Sequence, residues 1–248
     1  MWQLSRRRAA DAAAAERRTM TEIPHEDEGS VTHRNPQRNP GRKRFEVLLD
    51  ATEHLLAESP ADDFSLARIS ERAGVPISSI YHFFPNKNAA FTALAQRFHT
   101  QLRAISELPM PAPPRSWQAV IEAKQHAGAQ FLNEHPAALQ LFMGAGISVD
   151  VRNLDLSSNM QLARSRAEYI ARYFHMPFLP DLERQLAVAI GLADGIWAVS
   201  YSVDRRITPF YAQEALRATI LYLRSYLPEF LEPREQPDLA TCDREPTN

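Results

Sequence analysis

The chain predicts an all-α fold, and three observations carry that reading. Apolar residues recur at spacings of three and four from about residue 44 to residue 227, the period of a helix with one buried face. No stretch shows the strict alternation of a half-buried strand. Proline and small polar residues fall between the periodic stretches, where helices start and stop. With 248 residues, 44% of them apolar, the chain is long enough for one large or two modest cores. Net charge is −2, but its distribution is uneven. Residues 1–44 carry ten Lys/Arg against six Asp/Glu, and residues 231–248 carry two against five.

The first 41 residues divide in two. Leu4 to Met20 is rich in Ala and Arg and reads as a frayed helix. Thr21 to Gly41 is polar and proline-punctuated and reads as disordered. One reading makes 1–41 a bland extension; another makes Arg34, Arg38, Arg42, Lys43 and Arg44 a basic arm reaching a minor groove. Arg44 to Glu58 is the first firm helix, with Phe45, Leu48, Leu49, Thr52, Leu55 and Leu56 on one face. In the next, Leu66, Ile69 and Ala73 share a face, Asp63 or Ser65 is placed to cap it, and Gly74 stops it. Pro76 opens a short helix and Pro85 ends it, with Val75, Ile80, Phe83 and Phe84 inward. Asn86 caps a fourth helix reaching about Ser106. Residues 42–106 thus form an N-terminal helix-turn-helix domain.

A helix-turn-helix places its second helix in the DNA major groove. Here the outward face of that helix carries Ile77, Ser78, Ser79, Tyr81 and His82, small hydrogen-bonding groups plus aromatic rings. From Arg72 to Ser106 there is no acid, only Arg72, Lys87, Arg97 and Arg103. Gly74-Val75, the run Ser79-Ile80-Tyr81-His82-Phe83-Phe84-Pro85-Asn86-Lys87 and Ala89-Ala90-Phe91 resemble the DNA-binding domain of TetR-type (tetracycline-repressor-like) regulators, over about Arg44 to Leu102. The resemblance implies that Ser79 and Tyr81 contact DNA and that Lys87 meets a phosphate. Arg44 and Ser65 complete the candidate DNA-binding set. Pro76 and Ile77 stand where the family often places polar readers, which points Ile77 at a thymine methyl.

Four prolines between residues 109 and 114 break the pattern, so 107–115 reads as a linker. Residues 116–230 then read as a second helical domain, for ligand binding and dimerisation. Its helices span Ser116 to Asn133, Pro136 to about Gly144, Leu156 to Phe174, Pro180 to about Val203, and Pro209 to Leu227. The fourth of these has few charges past Arg184 and is apolar nearly all round, which requires a covering surface. Gly191 and Gly195 permit close approach, and with Ile220 and Leu223 they define a candidate homodimer interface. A dimer suits two DNA half-sites. In the family the last two helices build such an interface. Residues 231–248 read as a polar tail.

No catalytic constellation, phosphate loop or metal-ligand spacing stands out, and the eight histidines are scattered. No cofactor, metal or catalytic residue is expected. The second domain is rich in aromatic and Met side chains. Trp117, Phe131, Phe142, Met143, Met160, Tyr173, Asp194, Trp197 and Tyr201 are the candidate ligand-binding set. Asp194, among apolar neighbours, either pairs with Arg164, Arg166 or Arg172 or meets a donor on a ligand. The resemblance implies a small-molecule effector, here apolar or amphipathic, that releases a repressor from its double-stranded DNA operator. Rival readings are an effector-independent structural DNA-binding protein and an all-helical enzyme. The single cysteine, Cys242, and the absence of an apolar run near membrane-spanning length point to a cytoplasmic protein without a membrane partner.

Overall fold

The computed structural model describes residues 39–59, 63–144 and 148–235. The expectations for residues 1–38, for Asp62 and for the tail from residue 236 onward, Cys242 included, lie outside the described residues.

Nine α-helices lie among the described residues. Helix α1 spans Asn39–Glu58, α2 Leu66–Ala73, α3 Ile77–Phe83 and α4 Lys87–Glu107. Helix α1 begins before residue 44, because Pro40 is tolerated in a first turn where its missing N–H has no intrahelical partner. Ser65 caps α2, its Oγ accepting from the Arg68 N–H at 3.3 Å. Gly74 ends α2 at φ 62°, a left-handed turn that favours glycine. Asn86 caps α4 through Oδ1 and the Ala89 N–H at 2.9 Å. Phe45 packs on Phe83 and Phe84 with ring centroids 5.9 and 5.4 Å away, which clamps α3 to α1. Phe64 meets Phe91 at 4.7 Å, which holds the segment leading into α2 against α4.

The second part comprises α5 (Trp117–Glu134), α6 (Pro136–Met143), α7 (Val149–Tyr173), α8 (Leu182–Asp204) and α9 (Pro209–Leu223). Helix α7 starts seven residues before Leu156. Ser148 caps it by accepting from the Val151 N–H, and Asp150 in its first turn suits the positive end of the helix dipole. Helix α9 ends at Leu223, short of Leu227, and turns carry the chain on. The linker is fastened down. Lys124 Nζ donates to the Leu108 carbonyl at 2.6 Å, and the Met110 N–H donates to Tyr169 Oη at 2.9 Å. Residues 231–235 are also fastened. The His175 N–H donates to the Glu232 carbonyl, the Arg234 N–H to the Tyr173 carbonyl, and Leu231 is buried.

Helix α8 corrects one expectation. Its 23 residues include an 18-residue window of mean hydropathy 1.6, so by length and composition alone it could cross a membrane. Core helices of soluble proteins have the same property. Here Leu186, Ala189, Ile190, Ala193, Trp197 and Tyr201 bury one face of α8, and α7, α9 and α6 pack against it. The opposite face exposes Val188, Leu192, Val199 and Val203.

Candidate nucleic-acid interface and interior cavity

The sequence of α3 fixes which face looks outward. Ile80 and Phe83 are buried, whereas Ile77, Ser78, Tyr81 and His82 are exposed and Ser79 is half-buried. Tyr81 is 57% exposed, unusual for an aromatic ring held on a packed domain. Arg44, on α1, borders a shallow depression of about 240 Å³ together with Ser78, Ser79, His82 and Phe83. Lys87 is exposed at the first turn of α4, directly after α3. This arrangement gathers Arg44, Ser78, Ser79 and His82, with Ile77, Tyr81 and Lys87 on or next to the same helix. Ser65 is apart from them in role: its hydroxyl is engaged as the α2 cap.

Two of the cations counted in the acid-free window do structural work. Arg72 holds Glu58 through two contacts, at 2.6 and 3.0 Å. That hydrogen bond keeps the Glu58 carboxyl below the usual carboxylate range. Arg97 reaches from α4 to α1, meeting Asp50 at 2.6 Å, Glu46 at 3.7 Å and also Glu53. The sequence pattern suggested a positive surface there, but the acids of α1, 44 to 51 residues upstream, neutralise it.

In the second part, an interior cavity of about 50 Å³ lies between α4, α5, α6, α7 and α8. Phe142, Met143, Asp194 and Trp197 of the candidate ligand set line it. So do His99 and Leu102 of α4, Gln125 and Gly128 of α5, and Asp155, Asn159 and Arg166 of α7. Asp194 Oδ2 accepts from Asn159 Nδ2 at 2.7 Å. Burial, reinforced by the charge of Asp155, raises the Asp194 carboxyl to about 7, although Asn159, Arg166 and Arg152 oppose the shift. Burial likewise raises Asp155 to about 6, against the pull of Arg152, whose Nη1 donates to Asp155 Oδ2 at 2.9 Å. His99 Nε2 stands 3.6 Å from Asp155 Oδ1, too far for a hydrogen bond, and burial lowers the imidazole to about 4. His99 is therefore neutral near pH 7. Burial lowers Arg166 to about 10, against the attraction of Asp194.

The remaining candidates are placed elsewhere. Trp117 is fully buried in the core formed with Ile170, Phe174, Leu186 and Leu227, and its indole N–H donates to the Pro228 carbonyl at 2.9 Å. Tyr173 packs against that same core. Met160 is 43% exposed, because it lies about a quarter-turn round α7 from the buried Asn159 and Ala163, at the edge of the packed face. Phe131 stacks on His135 at 4.1 Å, and Tyr201 lies against Gly144. None of these five borders the cavity. Of the dimer candidates, Gly191 and Gly195 face open space, Ile220 is half-buried, and Leu223 is fully buried in the chain's own core. Leu223 therefore offers no surface to a second copy.

Sequence reasoning missed His99, Gln125, Asp155 and Asn159, and it offered Arg166 only as one of three possible partners of Asp194, of which Arg166 is the one that lines the cavity with it. His99 belonged to a helix assigned to DNA, and Asp155 preceded the expected start of α7. The Ser148 cap signal would have extended α7 and placed Asp155 and Asn159, four apart, on one face. Among the described residues, no group of three or more His, Cys, Asp or Glu is placed to hold a metal ion.

Comparison with known proteins agrees with this geometry. Residues 48–94, which hold the reading helix, match the bacterial regulatory proteins of the tetR family. The chain is 27% identical over 192 residues to the HTH-type transcriptional regulator BetI of Cronobacter sakazakii, covering 74% of this chain and 91% of that protein. A TetR-family transcriptional regulator from Streptomyces coelicolor superposes with a TM-score of 0.60 at 24% identity, covering 74% of this chain and 99% of that one. SmeT, the repressor of the Stenotrophomonas maltophilia multidrug efflux pump SmeDEF, superposes with a TM-score of 0.54 at 15% identity, covering 76% and 90%. These structural likenesses carry the fold. The matched segment holds the exposed reading helix and the helical body continues the same fold, which together support a TetR-type DNA-binding transcriptional regulator.

Proposed function

We propose that this regulator is a homodimeric repressor released from its operator by a small molecule held in the interior cavity. One observation carries the reading: α4 serves both ends. Its first residue, Lys87, follows the reading helix, and His99 and Leu102 further along line the cavity. Twelve residues of helix place those ends about 18 Å apart. A ligand that tilts α4 therefore moves α3. It does so only if it binds the two arrangements with different affinity. Helix α6 adds a second link, packing on α1 and lining the cavity through Phe142 and Met143. That SmeT is described as a repressor supports the sign of the effect.

The dimer follows from α8 and α9. Val188, Gly191, Leu192, Gly195, Val199 and Val203 form one exposed stripe at helical spacing, and Phe210 and Leu221 of α9 are exposed beside it. A second copy across a two-fold axis buries this stripe and sets two reading helices toward two half-sites.

DNA contact is assigned to Arg44, Ile77, Ser78, Ser79, Tyr81, His82 and Lys87. The test uses a duplex selected from a random pool. Replacing Tyr81 and Lys87 together by Ala should weaken binding by about 2–4 kcal/mol and lower the salt slope by about one. Unchanged affinity and slope would remove α3 from the interface. A structural DNA-binder without an effector is less well supported, because the body retains an interior cavity whose mostly apolar lining includes several polar side chains.

A further inference from the structure

We propose, resting on the effector reading above, that the ligand is an uncharged amphipathic molecule whose compact head bears an oxygen acceptor, such as a ketone or amide carbonyl. The head occupies the interior cavity, and the apolar body crosses a partition made by Gln125 and Trp197 into an outer cleft.

The argument starts with charge. The cavity's two carboxylates already have partners. Asp155 is paired with Arg152 at 2.9 Å; Asp194 accepts from Asn159 and lies in the field of Arg166. His99 carries no charge at neutral pH. The site thus sets two guanidinium groups, Arg152 and Arg166, against two carboxyl groups, and bringing a further charge of either sign into so buried a site is costly.

Hydrogen-bond capacity then selects among neutral ligands. Four side chains on the lining, three buried and Arg166 half-buried, have buried polar atoms without partners: both nitrogens of His99, both amide atoms of Gln125, Arg166 Nε and Trp197 Nε1. Gln125 is only 4% exposed and Trp197 5%. Arg166 Nε, the indole and neutral His99 each supply one donor, and the Gln125 amide supplies two. Among these partnerless atoms the acceptors are only the Gln125 oxygen and the second His99 nitrogen. Donors are in surplus, so the matching ligand atom is an acceptor. Buried donors left unmade are costly, and an oxygen placed among them recovers that free energy.

Size fixes the shape. The cavity of about 50 Å³ has room for about four water-sized groups, enough for a head but not a whole effector. Gln125 and Trp197 also line a neighbouring open cleft of about 670 Å³, within the usual range for ligand sites. Ala129, Ile207, Pro209, Ala212 and Leu216 make its apolar wall. The two side chains therefore stand between a small compartment and a large one with an apolar wall, and a chain attached to the head must pass between them.

The test compares three probes of matched length, 2-heptanone, hexylammonium and heptanoate, on the full-length protein. Binding is read by tryptophan fluorescence, with Trp197→Phe assigning the signal, and independently by thermal shift. The ketone should bind at least tenfold more tightly than either ion, and Gln125→Leu should weaken it about tenfold while leaving the ions unaffected. Tighter binding of either ion at Trp197, with release of DNA, would overturn the neutral class while the effector reading stands. Absence of binding by all three would overturn the inference. The effector reading is judged separately, by whether fractions of a cell metabolite extract change operator affinity.

Discussion

Asp194 shows how one side chain links stability to the cavity. Its folded carboxyl titrates near 7, well above the ordinary carboxylate value, because burial disfavours the charge. Between those two values the folded protein holds a proton that the unfolded chain has released. This contribution is therefore greatest at low pH and falls as pH rises toward about 7, levelling off above it. Relative to Asp194→Asn, the wild type should gain on the order of 1 kcal/mol of stability between pH 8 and pH 6. Parallel pH profiles in denaturant titrations would contradict the buried assignment. Arg97 makes a different case. Its position in an acid-free window suggested a DNA-facing charge, but it ties α4 to three acids of α1. Arg97→Met should cost about 1–2 kcal/mol of stability, between the values for exposed and buried pairs. The salt slope of DNA binding should stay fixed; a lower slope would return Arg97 to the interface. Sequence position shows charge but not the partner that folding brings to it.

At the scale of elements, most helices were legible because their signals are local. Ser65, Gly74, Pro85, Asn86, Ser116, Pro136 and Pro209 each mark a boundary through backbone chemistry at that residue. The start of α7 was not read, although Ser148 and Asp150 carry a local cap signal, because the apolar periodicity there is weak. The fastened linker and residues 231–235 depend on partners 16 to 63 residues away, such as Lys124 for Leu108 and Ala171 for Arg234. No local pattern contains that information. Helix α8 gives the clearest prediction at this scale. A Cβ added at Gly191 or Gly195 meets nothing within 4 Å, so the protomer tolerates substitution there. Gly195→Glu should leave folding intact, shift the protein to monomer in light scattering, and sharply weaken operator binding. A retained dimer would place the interface elsewhere.

For the whole molecule, the sequence separated a reading part from a binding part, but the structure joins them through α4. The cavity was only half legible. Phe142, Met143, Asp194 and Trp197 stood out as aromatic, soft or isolated acidic residues, whereas His99, Gln125 and Asn159 gain their meaning only from packing of α4, α5 and α7. Trp117 and Tyr173 looked equally suitable, yet they fill a separate core, since an aromatic residue at helical spacing serves a core and a pocket alike. The central claim is that occupancy of the cavity sets the geometry of the reading helices, and it is testable without the natural ligand. Ala193 is buried on the cavity wall, and Ala193→Leu would fill most of the space. Overpacking of this kind usually costs about 1–3 kcal/mol, enough to favour an arrangement that relieves it. The decisive measurement is the operator affinity of dimeric Ala193→Leu. A loss of tenfold or more is predicted; affinity within twofold of the wild type would contradict the coupling.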